Sequence, residues 1–319
     1  MLNANDVREL TNRLKPLTFN IDNDEQQVKT PLVQKYLNHY KINFSQSISG
    51  VRQGIGTFEA DQFTIAVQYW IPTLSRGTIF IVHGYFDHVG LFHHLIRFAL
   101  QNEFAVVAYD MPGMGLSSGE PAVIDSFDQY YTVLQQCVKL FRKTAPQPWC
   151  CIAQSAGSTA VIKTLLEQNV QPFEKVVLLA PLIRSCGWKR DRWFYAFGRF
   201  FIRSLPRVFT DNSHDQDFLT FLRKSDPLQH RRLPVKWVGA MKVWMDKFAK
   251  YQPKSNKLLI IQGDHDATVD WEYNIAAIKE KLPNARIKMI PQARHHLVAE
   301  SAPYRAQVFA AIKSYWDKQ

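Results

Sequence analysis

Two short stretches of this chain carry a serine among small residues: "IAQSAGSTA" over residues 152–160 and "GMGLSSGEP" over 113–121. Only the second fits the hydrolase pattern Gly-x-Ser-x-Gly at every letter, through Gly115, Ser117 and Gly119; the first carries Ala153 where a glycine belongs. The chemistry needs more than letters. A nucleophilic serine sits on a sharp turn between a buried strand and a helix, with its hydroxyl raised at the sheet edge. Ser155 has that context: the apolar run "WCCIA" leads in and the helix-forming "GSTAVIKTLLEQ" leads out. Ser117 does not, because seven residues separate it from the strand end at Asp110 and Gly119-Glu120-Pro121 breaks the chain direction after it. Ser155 is therefore the expected nucleophile, and the loop around Ser117 is expected to be structural.

A serine needs a base, and the base needs a carboxylate to orient it. Downstream, "IIQGDHDATVD" places Asp264, Asp266 and Asp270 just past a strand, and "IPQARHHLVAES" places His295 and His296 past the next one. Serine, acid, histidine is the chain order that a doubly wound sheet uses for such a triad. Donors for an oxyanion are expected from the backbone N–H of Tyr85, in "VHGYFDHVG", and of Ala156, which follows the nucleophile. Gly84 is expected to provide the turn that aims the Tyr85 N–H. The histidines nearby (His83, His88, His93, His94, with Asp87) match no zinc spacing, so no metal and no other cofactor is expected.

The elements that must position these residues can be read from periodicity. Continuous apolar runs at 63–70, 78–84, 104–110, 149–153, 175–181, 257–263 and 286–291 read as strands. Helix-period stretches at 93–101, 127–141, 158–168, 273–281 and 304–316 fall between or after them. The alternation predicts an α/β fold with a mostly parallel, doubly wound sheet. Residues 182–256 break the rhythm, hold no convincing strand and are expected to form an inserted helical cap. The expected organisation is a first core part at 1–181, with a helical extension of two helices at 1–50, then the cap, then a second core part at 257–319.

Charge is concentrated in the insertion. The net charge of the whole chain is +11, and residues 181–256 account for +10 of it, with sixteen Lys/Arg against six Asp. Within "RWFYAFGRFFIRSLPR" (192–207), helical spacing puts Arg192, Arg199, Arg203 and Arg207 on one stripe and Trp193, Phe197, Phe200, Phe201 and Leu205 largely on another. Such an amphipathic basic helix suits contact with an anionic membrane or headgroup; a lid helix with a solvated basic face is the competing explanation. No nucleic-acid motif accompanies the charge, so nucleic acid is not an expected partner. The polar N-terminus, the lack of an apolar run near 18 residues and the unpaired spacing of Cys137, Cys150, Cys151 and Cys186 lead to the expectation of a cytoplasmic protein, held if at all at the inner membrane face.

Together the landmarks "HGYFDH" (83–88), "DMPGMGLSSG" (110–119), "AQSAGS" (153–158), "GDHD" (263–266) and "ARHHL" (293–297) resemble the α/β-hydrolase family, in its monoacylglycerol lipase and bacterial lysophospholipase branch. The resemblance spans most of residues 60–319. It implies that Asp266 is the triad acid, that His295 is the base, that the loop containing Ser117 is a non-catalytic landmark, and that the insertion is a lid shaping an acyl pocket. Ala153 and His296 depart from the family pattern, which commonly has a glycine and an acidic residue there. The implied activity is hydrolysis of a mono-acyl lipid ester, with lysophospholipid placed ahead of monoacylglycerol because of the basic insertion. The alternatives are a general carboxylesterase, thioesterase or serine peptidase with the same triad, and a catalytically silent membrane-binding protein.

Overall fold

The computed structural model describes residues 1–317, without the side chains of Lys189, Asp191, Phe194 and Phe197. The chain opens with helices α1 (Ala4–Arg13), α2 (Ile21–Val28), α3 (Pro31–His39) and the short α4 (Phe44–Ser47). Local capping explains why four helices stand where two were expected. Asn3 and Asp6 form a reciprocal box at the start of α1, the Asn20 side chain accepts from Asp22 N (3.0 Å), and Pro31 opens α3. The helix expected to run to residue 44 stops at His39, and Lys41 follows with φ +57°.

Strands β1 (Val51–Ala60) and β2 (Phe63–Pro72) form an antiparallel hairpin, with Asp61 in the left-handed region at the turn. β1 was not foreseen. Its sequence, "VRQGIGTFEA", is diluted by Gly54 and Gly56, which are there for close approach: the Tyr69 ring covers one and Leu17 with the Lys15 carbonyl covers the other.

From here strand and helix alternate: β3 (Thr78–Val82), α5 (His93–Gln101), β4 (Ala105–Tyr109), α6 (Asp128–Leu140), β5 (Trp149–Gln154), α7 (Gly157–Glu167) and β6 (Lys175–Leu179). The insertion holds α8 (Trp188–Gly198), β7 (Ser204–Pro206), α9 (Gln216–Lys224), β8 (Arg232–Pro234) and α10 (Val235–Phe248). The chain ends with β9 (Leu258–Gly263), α11 (Trp271–Lys281), β10 (Ala285–Ile290) and α12 (Ala302–Trp316). The main sheet has eight strands in the order β1-β2-β4-β3-β5-β6-β9-β10, parallel from β4 to β10. Its strands are apolar throughout because both faces are covered. One face packs Phe80, Cys151, Ala153 and Ile260 with residues of α6 and α7, while the other packs Ile79, Cys150, Ile152 and Ile261 with residues of α5 and α12.

The strand order reverses at β3, which pairs with β4 on one side and β5 on the other. A crevice at the carboxyl ends of such strands is where open α/β sheets bind ligands. In this chain the loop at residues 83–88 and the turn at Ser155 leave neighbouring strands there, with Val82 opposite Ala153.

Two expectations about the insertion need correction. It does contain strands, β7 and β8, which pair antiparallel through Ser204–Pro206 and Arg232–Pro234. The arginines do not form one helical stripe, because α8 ends at Gly198 and Phe201 and Ile202 N–H groups fold back onto the Gly198 carbonyl. Glycine is a poor helix former, and the proline of β7 lies just beyond. Arg192 lies on α8, Arg199 caps it, Arg203 precedes β7 and Arg207 follows it. No helix among the described residues is long and apolar enough to cross a membrane.

Candidate active site

Ser155 occupies the turn between β5 and α7 with φ +50°, a conformation that costs a non-glycine residue energy and persists only when its surroundings enforce it. They do so through the main chain. Ser155 N–H donates to Leu179 O (2.9 Å), and its carbonyl accepts from Ser158 (3.0 Å) and Leu182 (3.2 Å). The small residues around it have separate reasons. A Cβ on Gly157 would stand 2.3 Å from the His83 carbonyl oxygen and 2.7 Å from that of Val82. Ala153, by contrast, keeps its methyl fully buried in the core, so no glycine is needed there.

His295 lies after β10, and its Nε2 is 3.0 Å from Ser155 Oγ while its Nδ1 is 2.7 Å from Asp266 Oδ2. Of the three aspartates after β9, only Asp266 meets a histidine in this way. Asp264 accepts from Gln292 N–H, and Asp270 caps α11 and pairs with Arg184. His296 turns away to Asp87. The serine, histidine and acid singled out from the sequence are thus brought into one hydrogen-bonded row.

The electrostatics of the row favour one tautomer. Burial alone would raise the Asp266 carboxyl, but the neighbouring His295, with donors from Thr268 N–H (2.8 Å) and Gln262 Nε2 (3.0 Å), outweighs it and holds the group below its ordinary value. An ionised carboxylate only accepts, so His295 Nδ1 carries the proton and Nε2 is left to accept the Ser155 hydroxyl proton. Burial opposes a charge on His295 as well, yet Asp266 outweighs it and raises the imidazole above its usual range. Gln262 was not anticipated. It lies on the strand leading to the acid loop, but a glutamine in an apolar strand carries no signal of its partner.

Ala156 follows Ser155 in the chain and Tyr85 follows Gly84, which packs on Ser155; neither N–H donates to a backbone acceptor in the turns and loops of the described residues. The Tyr85 side chain is pinned away from the serine by stacking on Trp237 (3.8 Å) and by donating to Ala122 O (2.8 Å). The strained residue of this loop is not Gly84 but Phe86, with φ +66°. Gly84 is required for closeness: a Cβ there would lie 3.2 Å from Ser155 Cβ and 2.9 Å from Asp87 Oδ2.

The insertion holds this loop from outside. Asp226 accepts from Tyr40 OH (2.7 Å), His88 Nε2 (3.0 Å), Leu228 N (3.0 Å) and Gln229 Nε2 (2.9 Å), and Gln229 Nε2 also donates to Phe86 O (3.2 Å). One buried carboxylate therefore ties the N-terminal extension, the loop after β3 and the insertion together. Burial would raise Asp226, but His88 outweighs it and holds the carboxyl at about 2.

Ser117 has a different setting. Its Oγ donates to Asp110 O (2.6 Å) and accepts from Ala66 N–H (2.9 Å), while Asp110 accepts from Val89 and Leu116 N–H groups at 2.8 Å each. Gly113, Gly115 and Gly119 all have positive φ. The stretch that fits the pattern letter by letter is a tight loop fastened to β2.

The insertion residues named from the sequence stand apart from the row. Trp193 and Phe200 are 60% and 70% exposed, and Phe201 is 88% exposed. Arg192, Arg199 and Arg203 are exposed too, with Arg199 over the Phe200 ring at 4.6 Å. The Phe197 side chain lies outside the described residues. Arg207 is half-buried instead, stacked on Phe86 at 4.1 Å.

Residues 73–302 match the family model described as serine aminopeptidase, S33. A monkeypox virus protein named monoglyceride lipase homolog is 26% identical over 273 residues, which cover 81% of this chain and 96% of that protein. Human monoglyceride lipase is 31% identical over 126 residues, 39% of this chain and 41% of that enzyme. Among solved structures, a soluble variant of Saccharomyces cerevisiae monoglyceride lipase, in complex with a substrate analog, superposes with a TM-score of 0.70 at 16% identity, covering 82% of this chain and 94% of that one. The architecture is that of the α/β hydrolases.

Proposed function

This chain belongs to the serine aminopeptidase S33 family, and from that premise we propose that it is a serine hydrolase that cleaves the ester of a monoacylglycerol. The observation that carries the reading is the row Ser155–His295–Asp266, at 3.0 and 2.7 Å, with the serine on a strained strand-to-helix turn. Ser155 Oγ attacks the ester carbonyl carbon as His295 Nε2 takes its proton, and the Tyr85 and Ala156 N–H groups receive the oxyanion. Collapse of the tetrahedral species expels the glycerol oxygen, which leaves with the proton from His295. A water molecule then gives its proton to His295 and attacks the acyl-Ser155 carbonyl, and collapse of that tetrahedral species expels Ser155 Oγ, which takes the proton back from His295 as the fatty acid leaves.

The relatives bearing the monoglyceride lipase name support monoacylglycerol as the first substrate class. The expectation that placed lysophospholipid first came from the basic insertion, whose charge does not by itself name a headgroup, so lysophospholipid stands second here. A second feature bears on how an insoluble substrate arrives. Trp193, Phe200, Phe201 and Val208 are all at least 60% exposed within one short stretch, among exposed arginines. We read this as the face of a lid that meets lipid, the aromatic rings entering the interface and the cations favouring anionic headgroups.

Fluorophosphonate labelling with peptide mapping tests the nucleophile: wild type is labelled at Ser155 and Ser155→Ala is not. Turnover of monoacylglycerols, lysophospholipids, short p-nitrophenyl esters, acyl thioesters and aminoacyl amides by the purified protein tests the substrate. A protein that cleaves only the amides, or that is never labelled, refutes the reading.

A further inference from the structure

Asp87 and His296 form a second acid–imidazole pair that the reaction above leaves unused. His296 Nε2 lies 3.1 Å from Asp87 Oδ1, and the two residues are 2% and 8% exposed. His296 is held firmly: its N–H donates to Asn212 O (2.8 Å), and its ring packs beside Phe218 of α9 and Phe92, at 4.8 and 6.0 Å. The other carboxylate oxygen lies beside Gly84, the residue that packs on the nucleophile. Asp87 Oδ2 and Ser155 Cβ lie 2.9 and 3.2 Å from the single point where a Cβ on Gly84 would stand. This buried carboxylate and the serine are thus separated by little more than the space above Gly84.

Burial would push the Asp87 carboxyl up, but the charge and hydrogen bond of His296, followed by His83 and His295, outweigh it and hold the group at about 2. Asp87 is therefore ionised over the working range of an esterase. The groups that face it are His83, His295, His296 and, farther off, Arg207. Those that face His295 are Asp266 and Asp87, and both favour its protonated form. Opposite charge nearby lowers the cost of charging an imidazole.

We propose that Asp87, fixed in place by His296, is a second carboxylate serving His295: it stabilises the imidazolium formed each time Ser155 gives up its proton. The proposal rests on the Ser155–His295–Asp266 reading above. Asp87 acts through space and His296 acts through Asp87, so both are positioning residues. A pair that merely braced the loop after β3 would affect stability or rate without changing the titration of His295.

The test is the pH profile of kcat/KM for monoacylglycerol. Asp87→Asn keeps size and polarity but removes the charge, so His295 loses a group that raised its pKa. The acid limb should then move to lower pH by at least about half a unit, and kcat at the optimum should fall roughly ten-fold with KM little changed. His296→Gln, which retains an N–H donor for Asp87, should hold kcat within about three-fold, while His296→Leu should lose roughly ten-fold. Asp87→Ser reads the same limb should the asparagine variant fail to fold. An acid limb that stays at its wild-type pH in folded Asp87→Asn or Asp87→Ser overturns the proposal. So does a His296→Leu enzyme with wild-type kcat. Labelling separates the levels: wild type unlabelled at Ser155 refutes the triad itself, whereas labelled wild type with an unmoved limb refutes only the role of Asp87.

Discussion

Replacing Gly157 by alanine adds one methyl group, and the structure says where it must go. The new Cβ would stand 2.3 Å from the His83 carbonyl oxygen, 2.7 Å from the Val82 oxygen and 2.9 Å from Val82 Cγ1. Carbon and oxygen rest at about 3.3 Å even in close contacts, so α7 and the end of β3 must separate by roughly 1 Å. The atoms met first are backbone, which cannot swing aside as a side chain would. Overpacking of this kind costs about 1–3 kcal/mol, which in a chain of this size lowers Tm by roughly 2–6 °C. The larger effect should be on rate. Residues 82 and 83 launch the loop carrying the Tyr85 N–H, while α7 begins two residues after Ser155, so the wedge parts the proposed nucleophile from one of its proposed oxyanion donors. A misplacement near 1 Å can cost about 100-fold. The assay is kcat/KM on a soluble p-nitrophenyl ester beside calorimetric Tm, with Ala153→Gly and Gly198→Ala for comparison. Ala153→Gly removes a buried methyl and should cost about 1 kcal/mol with activity within two-fold. Gly198→Ala meets only Ile202 Cδ1, at 3.6 Å, and should be silent. Gly157→Ala with wild-type rate and Tm would refute the claim that close approach, not the letters of the motif, dictates the glycine.

Ser117→Ala should lose about 1–2 kcal/mol, because it leaves Ala66 N–H and Asp110 O without their partner, yet it should label with fluorophosphonate like wild type; loss of labelling would make Ser117 the nucleophile. Activity requires neutral His295, whose pKa the structure raises above its usual 6.5, so kcat/KM should fall as pH drops through a limb above 6.5; a limb well below that value would contradict the buried Asp266 contact. Asp266→Asn should lower kcat by about 10⁴-fold, since the wrong tautomer is then favoured, and kcat within ten-fold of wild type would remove Asp266 from the row. Phe200→Ser with Phe201→Ser should weaken sedimentation with anionic vesicles while leaving turnover of a soluble ester unchanged, and unaltered vesicle binding would remove these rings from the lipid contact.

The central sheet was legible because it is buried on both faces. Strands such as "KVVLLAP" and "KLLIIQG" have no polar side to mask their continuity, and the runs read from the sequence coincide with β2 to β6, β9 and β10 within one or two residues. The site could be read for a related reason: its residues sit at strand ends, where period and loop chemistry meet. Strand β1 was missed because Gly54 and Gly56 are chosen for what approaches them, the Tyr69 ring and the Lys15 carbonyl, and that is invisible along the chain. The helical stripe over 192–207 failed from the opposite cause. Spacing alone aligned its arginines, but the turn at Gly198 and the pairing of β7 with β8 broke the helix that the alignment assumed.

What sequence spacing could not convey at all is which charged groups meet across the fold. Asp226 lies in an insertion dense with arginine, where a surface ion pair would be the natural guess. Its partners are instead Tyr40, 186 residues upstream, and His88, 138 residues upstream, both buried. Removing one member of a buried charged pair strands the other, at about 3–5 kcal/mol, so such a contact fixes geometry more firmly than any surface bridge. The same carboxylate holds Gln229, which reaches the Phe86 carbonyl beside Tyr85. The insertion is therefore packed into the fold and not merely appended to it. It also holds the loop after β3, through Asp226 on His88 and Gln229 on the Phe86 carbonyl, next to the N–H proposed above as an oxyanion donor.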